Sequence, residues 1–270
     1  MRESVVTALG TGWQGDREVR AALLAVLTSR TSNGSRIELN ELVRGHAATA
    51  LGAGWRGDAE VRAALLAVST ARALDGSPAE PDVDVRANAL SALGTGWQGD
   101  AEVRDVLLAV LMARAPDGSP AEWNRSVRER AMLDLRCGWR GDMKVRAALL
   151  ALLTARTPDG SLAERDNYVR ARAASALGGW PGDAEVRAAL FAVLAERTPD
   201  GSPVESGESV REFTISVVGY CWRDDAEVRD LFQRIATGRA ADGTWWEKSK
   251  KMRKKASAHI EEWNQPDELK

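Results

Sequence analysis

The sequence predicts an all-α, right-handed solenoid of six antiparallel helical hairpins followed by a C-terminal capping helix. Two observations carry this. Six tryptophans, Trp13, Trp55, Trp97, Trp139, Trp180 and Trp222, recur at intervals of 42, 42, 42, 41 and 42 residues, and a 42-residue sentence recurs with them. Self-similarity at this period is the mark of stacked supersecondary units. Within each unit, two apolar stretches of helical spacing carry their own start and stop signals. The repeats fall at about 1–42, 43–84, 85–126, 127–168, 169–209 and 210–251, with a closing helix at about 245–263, and together they make residues 1–270 one array.

The first helix of the third copy, VDVRANALSALG, sets Val85, Ala89, Ala92 and Leu93 on one face. Gly94 is its expected stop, as a residue suited to the left-handed conformation beyond a helix end. The turn GTGWQGD follows. Its shortness predicts antiparallel helices, with the Trp ring folded across the end of the hairpin and its indole N–H seeking a carbonyl.

The second helix begins at Asp100 and spaces Val103, Val106, Leu107, Val110 and Leu111 along one buried face. Asp100 is the expected N-cap, Glu102 adds negative charge to the first turn, and Arg114 is expected in the last turn, where a cation is favoured. The same columns read Asp16, Asp58, Asp142, Asp183 and Asp225 at the start, and Arg30, Arg72, Arg156, Arg197 and Arg239 at the end. A connection of the type APDGSPAEWNRS, with a Pro-Asp-Gly turn signal, returns the chain to the next repeat.

Composition fits an array that grows by stacking instead of around one large core. Hydrophobic residues make up 44% and aromatics 6%, ten of them Trp, so Ala, Leu and Val fill the core and small residues let helices approach closely. Cys137 and Cys221 have no metal-ligand spacing and offer no disulfide framework. Neither a bilayer-length apolar run nor a signal peptide is present, which places the chain in the cytoplasm and makes the Asn33 sequon incidental. Of the net charge of −2, residues 248–255 (KSKKMRKK) contribute +6, leaving −8 on the rest. An acidic body argues against a surface that tracks a phosphate backbone.

Valine-arginine pairs open the first helices at Val43-Arg44, Val85-Arg86, Val127-Arg128, Val169-Arg170 and Val210-Arg211. They open the second helices at Val19-Arg20, Val61-Arg62, Val103-Arg104, Val145-Arg146, Val186-Arg187 and Val228-Arg229. On these pairs and the acidic caps, nearly the whole chain resembles HEAT repeats of the short bacterial kind. The phrase ALGxGWxGDAEVRAALL also looks like the HEAT-type arrays C-terminal to NACHT modules in STAND NTPases. What the resemblance implies is a curved binding scaffold and, in the STAND case, a sensor that holds or releases an NTPase. Met1-Arg2 stands in the register of the first-helix pairs, as an excised segment would, and Met252-Arg253 marks the capping helix.

GTGWQG at Gly10 and Gly94 and GAGWRG at Gly52 match the glycine fingerprint for dinucleotides, but a helix precedes each loop and an Asp occupies the following cap. No cofactor and no metal are expected. RGD at Arg56 and Arg140 is a by-product of the turn. His46 and His259 lack an acid, serine or cysteine constellation, so the reading is of a protein that is not an enzyme.

Residues that stacking demands must recur, whereas residues that serve a partner are free to differ. One variable column reads Ser4, His46, Asn88, Arg130, Arg172, Phe213 and Lys255. The returning loops vary through Ile37, Leu39, Pro81, Asp82, Trp123, Asn124, Asp166, Tyr168, Glu205, Glu208, Trp245 and Trp246. The expected partner-binding residues are Trp123, Tyr168, Trp245 and Trp246 on the loop edge, with Arg130, Arg172 and Phe213 on the first-helix face, because aromatics and arginines anchor interfaces. Asp134 replaces a small residue at a packed position and is expected to pair with Arg130 one turn away or with a neighbouring repeat. Gln233 and Arg234 suit a terminal unit that faces water. The function expected is non-enzymatic protein binding by a scaffold or sensor. The alternative is a nucleic-acid-binding solenoid like the HEAT-like alkylpurine DNA glycosylases, working through the basic last helix.

Overall fold

The computed structural model describes residues 2–32, 34–73, 76–115, 118–239 and 246–265; Asn33 and Trp245 lie outside them. The described residues form thirteen α-helices and no strand. They divide into two compact units, residues 1–145 and 146–270. Unit 1 contains α1 (Arg2–Gly12), α2 (Arg17–Thr28), α3 (Glu41–Gly54), α4 (Ala59–Thr70), α5 (Val83–Gly96), α6 (Ala101–Met112) and α7 (Arg125–Gly138). Helix α8 (Met143–Thr154) crosses the boundary. Unit 2 continues with α9 (Asn167–Leu177), α10 (Ala184–Ala195), α11 (Glu208–Cys221), α12 (Ala226–Thr237) and α13 (Lys250–Trp263).

In unit 1 the odd-numbered helices pack in chain order, α1 on α3, α3 on α5 and α5 on α7, while α2 packs on α4 and α4 on α6. Each even helix also packs on the odd helix that follows it. In unit 2, α9 packs on α11 and α11 on α13, with α10 against α11 and α12 against α13. Leu51, Leu65, Leu90, Leu93, Leu107 and Leu111 are fully buried between the two rows of unit 1.

Gly10, Gly52 and Gly94, three residues before their tryptophans, act by size. A Cβ on Gly52 would lie 2.4 Å from the Ala92 Cβ and 2.7 Å from its Cα, and one on Gly94 would lie 2.4 Å from the Asp134 Cβ. Small residues thus let successive odd helices touch backbone to side chain. Gly94 is therefore not a left-handed stop: α5 continues to Gly96, and the glycine with φ of +81° is Gly99, inside the turn.

Each even helix opens on its aspartate. Asp16, Asp58, Asp100, Asp183 and Asp225 accept the amides two and three residues on, and Asp142 does the same at Lys144 and Val145. The arginines expected in the last turn lie beyond it. Arg30 and Arg156 instead donate to the carbonyls of Gly34 and Gly160, closing compact return loops whose ends meet as isolated bridges such as Arg72 with Pro78. The turn tryptophans Trp55, Trp97, Trp139 and Trp180 are buried. At Trp55, Trp139 and Trp180 the indole N–H finds no acceptor among the described residues, so these rings serve by packing and not by the hydrogen bond the sequence leads one to expect.

Candidate interaction surface

Two ladders of charge consume the recurring polar residues. In the first, the arginine four residues after each cap reaches the cap of the next repeat: Arg20 to Asp58, Arg62 to Asp100 at 2.8 Å, Arg104 to Asp142 at 2.8 Å, Arg146 to Asp183 at 2.6 Å and Arg187 to Asp225 at 2.9 Å. Arg20, Arg62, Arg146 and Arg187 also take the glutamate two residues beyond the cap. The fourth copy has Lys144 in place of that glutamate, and there the third copy supplies Asp105, which binds both Arg104 and Lys144. The Arg146 hydrogen bond, followed by the Val186 amide, holds the Asp183 carboxyl at about 2.

The second ladder is buried. Arg44 binds Glu80 with two nitrogens at 3.1 and 3.3 Å, Arg86 binds Glu122 at 3.1 Å, Arg170 binds Glu205, and Arg211 binds Glu247. Each glutamate also accepts an amide two residues on, as Glu80 does from Asp82 and Glu122 from Asn124. Arg44, Arg86 and Arg253 turn their remaining donors on carbonyls of the loop before their own helix. Glu205 thus belongs to a structural column and not to the variable set. The signal for it in the sequence is a glutamate two residues before every first-helix cap: Glu38, Glu80, Glu122, Glu164, Glu205 and Glu247.

With these charges spoken for, the non-recurring residues define the open surface. In unit 1, His46 on α3, Asn88 on α5 and Arg130 on α7 share one register position and line a groove of about 510 Å³. Glu41, Leu42, Asp84, Glu129 and Leu133 complete its walls. A second hollow of about 360 Å³ adjoins it, with Thr7, Gly10, Thr49 and Ala50 beside the same His46 and Asn88. Thr7 Oγ1 and His46 Nδ1 lie 3.0 Å apart, which fixes the imidazole between the two hollows. Trp123, just before α7, is 70% exposed.

In unit 2, Tyr168, Arg172 and Phe213 come together. The Arg172 guanidinium lies 4.9 Å from the Tyr168 ring centre and 5.3 Å from that of Phe213, and donates to the Tyr168 hydroxyl at 2.6 Å. Loop edge and helix face are therefore not separate here. Trp246 lies beneath the Arg197 guanidinium, 3.6 Å from its ring centre. Burial lowers the pKa of that arginine to about 10, with the Glu247 charge pulling the other way.

A cavity of about 370 Å³ in unit 2 lies among Gly178, Tyr220, Cys221, Arg223, His259 and Trp263. Helix α9 has 11 residues where α3, α5, α7 and α11 have 14, in keeping with the single short interval before Trp180. Burial raises the Cys221 thiol pKa and lowers that of the His259 imidazole, so each group favours its neutral form. Among the described residues there is no cluster of three or more His, Cys, Asp or Glu able to hold a metal ion. No described helix is long and apolar enough to cross a membrane.

Asp134 is buried, and its Oδ2 has no hydrogen-bond partner among the described residues. Arg130 acts on it through its field and not through the expected ion pair, and burial pushes the carboxyl up to about 7 against that field. No protein-family model matches the chain, and no curated protein matches it.

Proposed function

We propose that the chain is a non-enzymatic protein-interaction scaffold, built as a right-handed α-solenoid of HEAT type and serving as a sensor or scaffold segment of a larger cytoplasmic protein such as a STAND NTPase. One observation carries the binding role. His46, Asn88 and Arg130 occupy the same position on three successive odd-numbered helices, line one groove, and differ from copy to copy, whereas the two charge ladders are spent between repeats. His46 also meets Thr7 of the repeat before it, but none of the three side chains belongs to the recurring ladders, and an arginine beside exposed apolar surface is a typical interface anchor.

The test is a triple variant, His46→Ala, Asn88→Ala and Arg130→Ala, immobilised beside the parent chain and matched to it in melting temperature. Proteins cross-linked to the parent at α3, α5 and α7 are expected to be lost from the variant. Retention of the same cross-linked partners by the folded variant would overturn the groove as the binding site.

A second reading, a nucleic-acid-binding solenoid of the DNA glycosylase kind, draws on one observation. Lys248, Lys250 and Lys254 are exposed and unpaired among the described residues. The rest of the basic cluster is engaged: Lys251 and Lys255 bind Glu212, and Arg253 binds the carbonyls of Glu247 and Lys248.

A further inference from the structure

The two ends of the repeat series are finished differently. In the last hairpin, Gln233 and Arg234 replace the Leu or Phe and the Ala of earlier copies, and α13 packs on both α11 and α12. There Arg229, the last member of the first ladder's arginine column, donates to the Arg223 carbonyl and lies over the Trp263 ring at 5.5 Å. The first hairpin has no such adaptation. Its turn and helix start, GTGWQGDREVR from Gly10, repeat the inner GTGWQGDAEVR from Gly94 with one change.

Three of its stacking residues stand open. Trp13 is 54% exposed, whereas Trp55, Trp97, Trp139 and Trp180 are between 4% and 9%. Val19 is half-buried, while Val61, Val103, Val145, Val186 and Val228 are wholly buried. Asp16 caps α2 as its counterparts cap their helices, yet it is exposed and, with Glu18, has no cationic partner among the described residues. Every later copy of the cap receives an arginine from the repeat before it.

We propose that this face of α1 and α2 is a docking surface for one further helical hairpin of the same repeat chemistry, whose second-helix arginine closes on Asp16 and Glu18 while the hairpin covers Trp13 and Val19. Terminal repeats that face water carry polar outer surfaces, and this one keeps the apolar and acidic pattern of an inner repeat. A second copy of the chain does not supply the complement. Its arginine in the matching column, Arg229, is already engaged, and two such faces placed together would oppose Asp16 and Glu18 to their own like charges. The inference stands on the packing within unit 1 and is independent of what the groove on the odd helices binds.

The experiment extends the full chain by a copy of residues 43–84 joined directly ahead of Met1, which continues the register so that the copied Arg62 faces Asp16. Hydrogen exchange across residues 2–28 is expected to slow by at least about tenfold, because docking ties the opening of this segment to a larger cooperative unit. The same extension with its copied arginine changed to Glu is expected to lose most of that protection. An isolated hairpin has little stability of its own, so an added copy that stays unfolded on a folded body overturns the proposal. So does one that folds without protecting residues 2–28, and so does equal protection with Arg or Glu.

Discussion

Arg62 on α4 donates to the carboxylate of Asp100 at 2.8 Å, while that carboxylate accepts the amides of Glu102 and Val103 at the start of α6. One side chain thus ends a helix and joins two repeats. Asp100→Ala is expected to destabilise unit 1 by about 0.5–2 kcal/mol for the cap. Arg62→Ala is expected to cost at most about 1 kcal/mol, because the pair is partly solvated. Urea midpoints for both single variants and the double variant read the coupling; an Arg62→Ala cost equal to that of Asp100→Ala would mean that the bridge, and not the cap, is the main term. The pH sense follows from Asp183, whose folded pKa of about 2 is below the ordinary 3.8. Its stabilisation is complete above about pH 4 and is lost as pH falls toward 2.

The buried ladder predicts larger effects. Arg86 and Glu122 are each 2% exposed, so Glu122→Ala leaves a guanidinium without its counter-charge and the Asn124 amide without its acceptor. The expected loss is about 3–5 kcal/mol, read as a shift in the urea midpoint. A loss below about 1 kcal/mol would place this pair with the surface bridges.

Asp134 gives the opposite pH sign. Its folded pKa of about 7 exceeds the ordinary 3.8, so the folded state holds the proton more tightly and stability declines as pH rises from about 4 to about 7. Asp134→Ala is expected to remove that decline and to stabilise the chain at pH 8 by on the order of 2–4 kcal/mol. Denaturation of parent and variant at pH 5 and pH 8 checks this; the same difference at both values would contradict it.

Gly52→Ala sets a methyl against the Ala92 Cα at 2.7 Å and its carbonyl oxygen at 3.0 Å, where no rotamer change gives relief. It is expected to cost about 1–3 kcal/mol by forcing α3 and α5 apart. Gly12→Ala, with nothing within 4 Å of the new Cβ, serves as the control. Thermal melts of the two variants should separate clearly.

Duplex DNA is expected to bind weakly and without sequence preference, through Lys248, Lys250 and Lys254. Changing all three to Ala should abolish the binding, and the parent's salt slope should be no steeper than about −3. Tight binding at physiological salt that survives these substitutions would promote the nucleic-acid reading over the scaffold.

Much of this architecture is visible in the letters. A tryptophan, an aspartate and a valine-arginine pair at fixed spacing give the helices, their caps and their order, because each is demanded at the same place in every copy. The buried glutamates are harder to see. Around Glu205 the loop reads PVESGES, where earlier loops read PAEPDVD and PAEWNRS, so its composition suggests variation; counting two residues back from the cap recovers the column. The Tyr168–Arg172 contact follows from helical spacing, but Phe213 joins it only through the packing of α11 on α9. Asp134 was legible as an oddity, yet its lack of a partner depends on where α5 presses Gly94 against it.

The exchange of partners around Asp105 and Lys144 bears on how such a gene can change length. Tandem copies invite unequal crossing-over, which deletes or duplicates whole repeats without disturbing the reading frame. Most junctions here would survive it, since any arginine meets any aspartate-glutamate pair. The junction between the third and fourth copies would be weakened, modestly for so solvated a pair. Asp105 facing an ordinary neighbour would oppose the glutamate that follows the cap, and Lys144 facing an ordinary neighbour would stand beside an arginine with no Asp105 between them. Those two copies carry matched charges that such an exchange would separate.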